Sequence, residues 1–392
     1  MASSAIAEAD LEVPVPAQGA PCPLELRAVS WRALDTPGAR LAWDALSACA
    51  AESNPFHESW YLLAALHAFD PDERVSILRF DAGGELAGLL PIHKPTRYYH
   101  WPIPHAASWA HPNCFLGAPL VARGLEREFW RALLKWADEN AERALFLHLA
   151  QMPLTGPVYA GLQSVLAEQG RFAATVHRED RAMLASDLAP QAYFEASLSG
   201  KKRKELRRQF NRLSELGEVS MTRTTGDEHL ARWIEDFLAL EHSGWKGTNG
   251  SAIASHQSTT RMFKEALFGS CSQGRLERLT LTLDDEPIAM LANFITPPGA
   301  FSYKTAFDER YARYSPGVLV QRENLELLGQ SGIEWCDSCA AADHPMIDHI
   351  WRERRVIGRL SIAIGGRLRR AVFAQLVKAE LQRNPAGLEP IS

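Results

Sequence analysis

The stretch Phe301 to Leu328, FSYKTAFDERYARYSPGVLVQRENLELL, decides the fold. Phe301, Tyr303, Thr305 and Phe307 alternate with Ser302, Lys304 and Ala306, the two-residue period of a strand with two differently used faces. On that period Ser302 and Lys304 share one face, and Tyr303 and Thr305 the other. A helix start follows. Ser315 suits the N-cap, Pro316 has its φ preset for the first helical position, and Gly317 lets a ligand approach amides that lack an intrahelical partner. Such an end attracts phosphate, although Ser-Pro-Gly alone also begins helices that bind nothing. Gly329 and Gly332 close the helix, and IEWCDSCA from Ile333 reads as a further strand.

Three segments together carry a family pattern: LALEHSGWKGTNG at Leu238 to Gly250, SYKTAFDERYARYSPG at Ser302 to Gly317, and Asp337 on the next strand. They resemble the GNAT superfamily of acyl-CoA-dependent N-acyltransferases, and more narrowly its cellulose-biosynthesis-associated branch, related to the Fem-type peptidoglycan transferases. The resemblance spans roughly residues 198 to 364, with a fainter echo upstream. It implies an acyl-CoA co-substrate, no permanently bound cofactor, and a diphosphate held at Ser315, Pro316, Gly317 and Val318. The superfamily loop usually reads Arg/Gln-x-x-Gly-x-Gly/Ala. With Gly317 at its last position, Ser315 and Ala312 fall at the earlier ones, and Arg313 stands one place from the expected cation.

The chain has 392 residues, enough for two domains of ordinary size. A formal net charge of -5 gives no general attraction for nucleic acid or anionic membrane. Six scattered cysteines suit reduced cytosolic thiols. Residues 1–23 carry three acids and no Lys or Arg, so they read as a flexible tail rather than a secretory signal. No apolar run approaches a membrane span. The expectation is a cytoplasmic protein, with contact at the inner membrane face left open.

From residue 24 strands and helices alternate. VSILRFDAGGELAGLLPIHKP reads as a hairpin turned at Gly83-Gly84, and HWPIPHAASWAHPNCFLGAPL as a long ordered connection rich in Pro, His and aromatics. ALFLHLAQM and RFAATVHREDRAML are strands, with a helix between them ended by Gly170. A second round of strand and helix begins near Tyr193. The expected fold is α/β, with tandem GNAT-like domains at residues 24–189 and 190–376, each a mixed, mostly antiparallel sheet flanked by helices. A terminal helix end and tail follow at residues 377–392. Beyond Asp337 and the loop AAADHP, a helix is expected from Met346 to about Val356, then a strand RLSIAI.

An N-acyltransferase must take a proton from an ammonium, hold the amine against a thioester and protonate the departing thiolate. Glu241, at a helix end, is the first candidate base or else a buried partner for Lys246. Lys304 reads as a substrate or phosphate contact, or as one half of a salt bridge to Asp308 or Asp337. Tyr303, Tyr311 and Tyr314 are either acids or packing. His344 and His349 follow the strand that carries Asp337, in a place where ligands often sit. The catalytic candidates are therefore Glu241, His344, Lys304 and Asp337, and the acceptor contacts Trp245, Lys246, Tyr303 and Asp308. Cys336, Cys339, His344 and His349 approach a zinc spacing, but a strand would send the two thiols to opposite faces, so no metal is expected.

Between Lys201 and Arg212 seven cations crowd a helix whose apolar stripe is Leu206, Phe210 and Leu213. This helix suits anionic headgroups, an acidic carrier protein or simply solvent. It would also suit transfer RNA in a Fem-type aminoacyl transferase, which the overall acidity disfavours. A GNAT fold kept as a non-catalytic binding module is the alternative from another class.

Overall fold

Gly83 and Gly84 adopt φ of 63° and 87°, and this left-handed pair turns the first hairpin of the sheet. The computed structural model describes residues 23–342, 344, 346–383 and 390–391, so the expected N-terminal tail and most of the C-terminal one lie outside the described residues.

In the first half, β1 (Leu24–Ser30) leads through α1 (Pro37–Cys49) and α2 (Ser59–Phe69) to the hairpin β2 (Ser76–Ala82) and β3 (Glu85–His93). Then come β4 (Ala106–Ser108), β5 (Leu120–Val121), α3 (Glu126–Glu139), β6 (Phe146–Pro153), α4 (Pro157–Glu168) and β7 (Ala173–Leu184). Two helices, α5 (Pro190–Ser197) and α6 (Gly200–Ser214), lead into the second half. There β8 (Val219–Thr224) is followed by α7 (Leu230–Ser243), α8 (Trp245–Thr248) and α9 (Gln257–Ser272). The strands β9 (Leu276–Leu283), β10 (Glu286–Thr296) and β11 (Gly299–Phe307) form a meander, then α10 (Pro316–Glu323) leads to β12 (Trp335–Asp337). The chain closes with β13 (Glu353–Ala363), α11 (Arg367–Arg383) and β14 (Pro390–Ile391).

Each half repeats one plan. Antiparallel strands β1 to β4 end in a parallel pair of β4 with β6, and antiparallel β8 to β11 end in a parallel pair of β11 with β12. The two halves join into one sheet of order β1-β2-β3-β4-β6-β13-β7-β12-β11-β10-β9-β8. They exchange strands at the join: β13, late in the chain, lies between β6 and β7, while β7 pairs with β12. The expected boundary near residue 190 therefore divides the sequence but not the hydrogen bonding.

The strand exchange also explains a correction. No helix runs from Met346 to Val356; the chain turns at residues 346–350 and β13 starts at Glu353, earlier than the expected RLSIAI. Buried Ile357, Leu360 and Ile362 fill a slot between two strands, and that tertiary pairing overrides local helix preference. A second difference is α5, which Pro190 begins and which buries Tyr193 and Phe194.

A shared core holds the halves together. Phe56 and Tyr61 from the first half meet Phe294, Phe301 and Tyr303 from the second, with ring centroids 5.6 Å apart for Phe56 and Phe301. Each such ring, taken fully out of water, contributes roughly 1.5–3 kcal/mol. On α9, a Cβ at Gly269 would sit 2.9 Å from the Cβ of Trp60, so only glycine allows α2 and α9 to approach this closely.

Candidate active site

The site begins with an extra residue. Ala292 of β10 pairs with Lys304 and Asn293 with Ser302, which leaves Tyr303 unmatched as a β-bulge. The bulge switches the phase of the strand. Tyr303 and Lys304 now share a face with Phe301 and Ala306, whereas Ser302, Thr305 and Phe307 take the other. This corrects the alternation expected from sequence. Tyr303 stacks on Phe294 with centroids 4.4 Å apart, while on the opposite face Thr305 Oγ1 accepts a hydrogen bond from Gln321 at 3.2 Å.

A cleft opens one residue earlier. Gly299, Ala300 and Phe301 pair with Trp335, Cys336 and Asp337, and there the parallel ladder ends. Cys339, at φ 52°, turns the chain away, its amide donating to Asp337 Oδ1 at 2.8 Å. Asp337 is fully buried, 3.5 Å from Arg181 on β7 and 3.3 Å from Arg355 on β13. The strand end is therefore pinned by cations from both exchanged strands. Beyond it, the edge of β11 from 302 to 307 has no strand beside it among the described residues.

Lys304 lies where this cleft meets the shared core. Its ammonium is 5.1 Å from the Phe115 ring centre and 5.7 Å from that of Tyr303. The salt bridges open to it in the sequence are taken by others: Asp308 binds Arg310, and Asp337 binds the two arginines. Lys304 makes no ion pair among the described residues. Burial, reinforced by the charge of Lys246, brings its pKa down to about 8, against the opposing pull of Glu241.

Glu241 reaches the same region from the end of α7. Lys246 Nζ donates to its Oε1 at 2.8 Å and the Ile253 amide to its Oε2 at 2.8 Å, so both oxygens are engaged. The partner reading for Lys246 is thus realised. His344 is half-buried; burial first, then the charge of Lys246, holds its pKa down, and its Nδ1 is buried without a hydrogen bond. Glu241, Lys246, Lys304 and His344 form one electrostatic neighbourhood. Asp337 stands behind it as a positioning group. His349 is exposed.

The acceptor candidates divide. Tyr303 is buried, its hydroxyl 3.3 Å from that of Tyr61, which donates to the Asn113 carbonyl at 2.5 Å. Trp245 is exposed, with its amide donating to Glu309 Oε1 at 2.7 Å. That bond ties the 244–250 segment to the turn after β11. Asp308 is occupied by Arg310 and caps the turn, accepting from the Arg310 amide at 2.9 Å.

The turn before α10 differs from the expected cap. Ser315 takes a left-handed φ of 56° and makes no side-chain cap. The Val318 and Leu319 amides both donate to the Ser315 carbonyl, so Gly317 carries the free amide of the turn. A Cβ there would lie 2.7 Å from Met346 Sδ and 3.2 Å from Phe307, so the Met346 side chain packs closely against Gly317. Arg313 stacks on Tyr314 at 4.7 Å and has no carboxylate partner among the described residues.

Phe115, Tyr61, His111, Arg181 and Arg355 escaped the sequence reading because they arrive from the first half or from exchanged strands. The Pro-, His- and aromatic-rich connection of residues 100–120 was the available signal. It lies against β6, where the Gly117 amide donates to the Gln151 carbonyl at 2.8 Å, and delivers Phe115 to Lys304. In the first half this connection thus runs beside the end of β6, the position left free beside β11 in the second.

Residues 200–344 match the family model described as an acetyltransferase (GNAT) domain. The match lies entirely in the second half. The meander, the bulged strand and the parallel pair that splays apart all fall within the matched residues. A search of curated proteins returns no match. Among solved structures the chain is similar to FemX, with a TM-score of 0.55 at 11% identity over 90% of this chain and 99% of that one. It is also similar to a conserved protein of unknown function from Bacteroides thetaiotaomicron, with a TM-score of 0.51 at 14% identity over 83% and 97%. At these identities the likeness is one of fold, extending across both halves.

Proposed function

We propose that the chain transfers an acyl group from an acyl-CoA to an amine. The observation that carries this reading is the unpaired edge of β11 beside the bulge that turns Lys304 toward the cleft. Pantetheine amides would pair with that edge between 302 and 307, and the diphosphate would meet the Gly317 amide and Arg313 once Met346 moves aside. The acceptor nitrogen would lie near Lys304, with Trp245 and Lys246 at the mouth.

Lys304, with a pKa near 8, exists partly as the free amine near neutral pH and can take a proton from the acceptor ammonium. The freed nitrogen attacks the thioester carbonyl carbon and the C–S bond breaks; of the two protons the acceptor nitrogen gives up, the one held on Lys304 returns to the departing thiolate and the other leaves to solvent. Glu241 keeps Lys246 in place, and His344 provides a second group able to hold a proton. The resemblance to the cellulose-associated branch suggests an amino sugar as acceptor, and the wider GNAT group a long-chain amine. Thiol release from acetyl-CoA and palmitoyl-CoA across a panel of such amines tests the reading; no release with any pair would overturn it.

Helix α6 favours a surface role for the same enzyme. Leu206 and Leu213 are buried and most of its cations are exposed, so it presents a basic face for anionic headgroups or an acidic carrier. It is also compatible with a charged transfer RNA as donor, the Fem-type reading that the overall acidity disfavours. No helix of the described residues is long and apolar enough to cross a membrane.

A further inference from the structure

A cavity of about 340 Å³ lies against the end of β6, lined mainly by residues of the first half. Arg97, His105, His111, His148 and Arg359 line it together with Tyr98 and Tyr99, and no carboxylate does. Arg97 makes no ion pair or hydrogen bond among the described residues, and Arg359 donates only to Tyr99 Oη, at 3.2 Å. The acid near this wall, Glu380, accepts from Tyr98 Oη at 2.9 Å.

The imidazoles are buried and crowd one another. His105 Nδ1 lies 3.1 Å from the Ile103 carbonyl and His148 Nδ1 3.1 Å from Ser361 Oγ. Burial, then His105 and Arg359, brings His148 down to about 3. With their pKa values held down by burial these imidazoles add no positive charge at neutral pH, so the charge at the cavity comes from Arg97 and Arg359, which have no carboxylate partner among the described residues. Guanidiniums match oxyanions through paired N–H donors.

The cavity adjoins the proposed amine centre. His111, Pro112 and Cys114 form one wall, and the next residue, Phe115, touches Lys304, whose charge adds to burial in depressing His111. Gln151, at φ 52° in an irregular stretch of β6, forms another wall; its Oε1 accepts from Arg181, the cation that pins Asp337. Arg359 is supplied by the exchanged strand β13, so the cavity is complete only when the halves are interlocked.

We propose that this cavity holds a phosphate group of the acceptor, bound between Arg97 and Arg359, so that the acceptor spans from the first half to Lys304. The inference rests on the acyltransferase reading for the identity of its ligand but not for the existence of the site. CoA carries phosphate too, so the test separates the two sources. Calorimetry on the full chain uses inorganic pyrophosphate and succinate, with and without saturating CoA. Pyrophosphate is expected to bind saturably, to remain bound when CoA saturates, to outbind succinate at least tenfold, and to weaken at least tenfold in both Arg97→Gln and Arg359→Gln. CoA affinity stays unchanged in both variants.

Absence of pyrophosphate binding, equal binding in both variants, or equal binding of succinate would overturn the phosphate site. Displacement by CoA would assign the phosphate to the donor and overturn the acceptor. Failure of CoA itself to bind is a separate result that strikes the acyltransferase reading.

Discussion

The Lys304 ammonium lies 5.1 Å from the centre of the Phe115 ring, a contact between the two halves of the chain at the point where the cleft begins. A ring face offsets part of the lost hydration of a cation, typically by 0.5 to about 2 kcal/mol. It does not replace a carboxylate. Lys304 is therefore a destabilising group held in place by the packing around it, and its substitution separates stability from function.

Lys304→Met is expected to raise folding stability near pH 7 by about 2 kcal/mol, since each unit of pKa depression corresponds to about 1.4 kcal/mol and partial solvent access reduces the total. The same variant should lose amine acylation at least a hundredfold. The sign follows from the depressed pKa: between about 8 and 10.5 the unfolded chain binds the proton more tightly, so wild-type stability rises with pH there, and the variant lacks that rise. Urea midpoints at pH 7 and pH 9.5 measure both effects.

The pH profile of kcat/KM should climb as Lys304 loses its proton, with a midpoint near 8. Lys304→Arg keeps the charge and removes the titration, so its residual activity should be flat across that interval. A rise of the same midpoint in Lys304→Arg would assign the proton to another group.

Met346 packs against Gly317, and in the proposed placement a donor phosphate must displace it. Met346→Ala should therefore tighten acyl-CoA binding by up to about tenfold, or roughly 1.4 kcal/mol. Gly317→Trp is the opposite case and should abolish binding while circular dichroism shows the fold intact. Unchanged affinity in both folded variants, measured by calorimetry, would move the diphosphate elsewhere.

Arg181 reaches Asp337 at 3.5 Å and donates to the Phe115 carbonyl at 2.6 Å. Arg181→Met would leave a buried carboxylate with Arg355 as its remaining cation, and is expected to destabilise the fold by about 3 kcal/mol. The Phe115 segment should loosen with it, raising KM more than it lowers kcat. Denaturant midpoints and steady-state kinetics on the same preparation check the two together.

Much of the fold was legible because local signals agree with the final structure. Gly83-Gly84 marks one hairpin, and Asp284 and Asp285, both left-handed, turn the hairpin between β9 and β10. Ser315, Pro316 and Gly317 marked a helix start that exists, although Ser315 serves it by its backbone and not its hydroxyl. The bulge at Tyr303 was not legible, because one strand with an added residue reads like any other until its partner is known.

The same reasoning covers the site. Glu241, Lys246, Lys304 and His344 were picked by type and place and fall in one neighbourhood. Asp337 was picked with them but is enclosed by Arg181 and Arg355. Those arginines lie on β7 and β13, strands whose exchange no local pattern announces, and the helix expected over Met346 to Val356 failed for the same reason.

Thiol release on mixing the full chain with an acyl-CoA and an amine tests the central claim most directly. The account predicts saturable release that requires both substrates and disappears in Lys304→Met while acyl-CoA still binds. Release of equal rate in that variant, or no acyl-CoA binding by the wild-type chain, would contradict it.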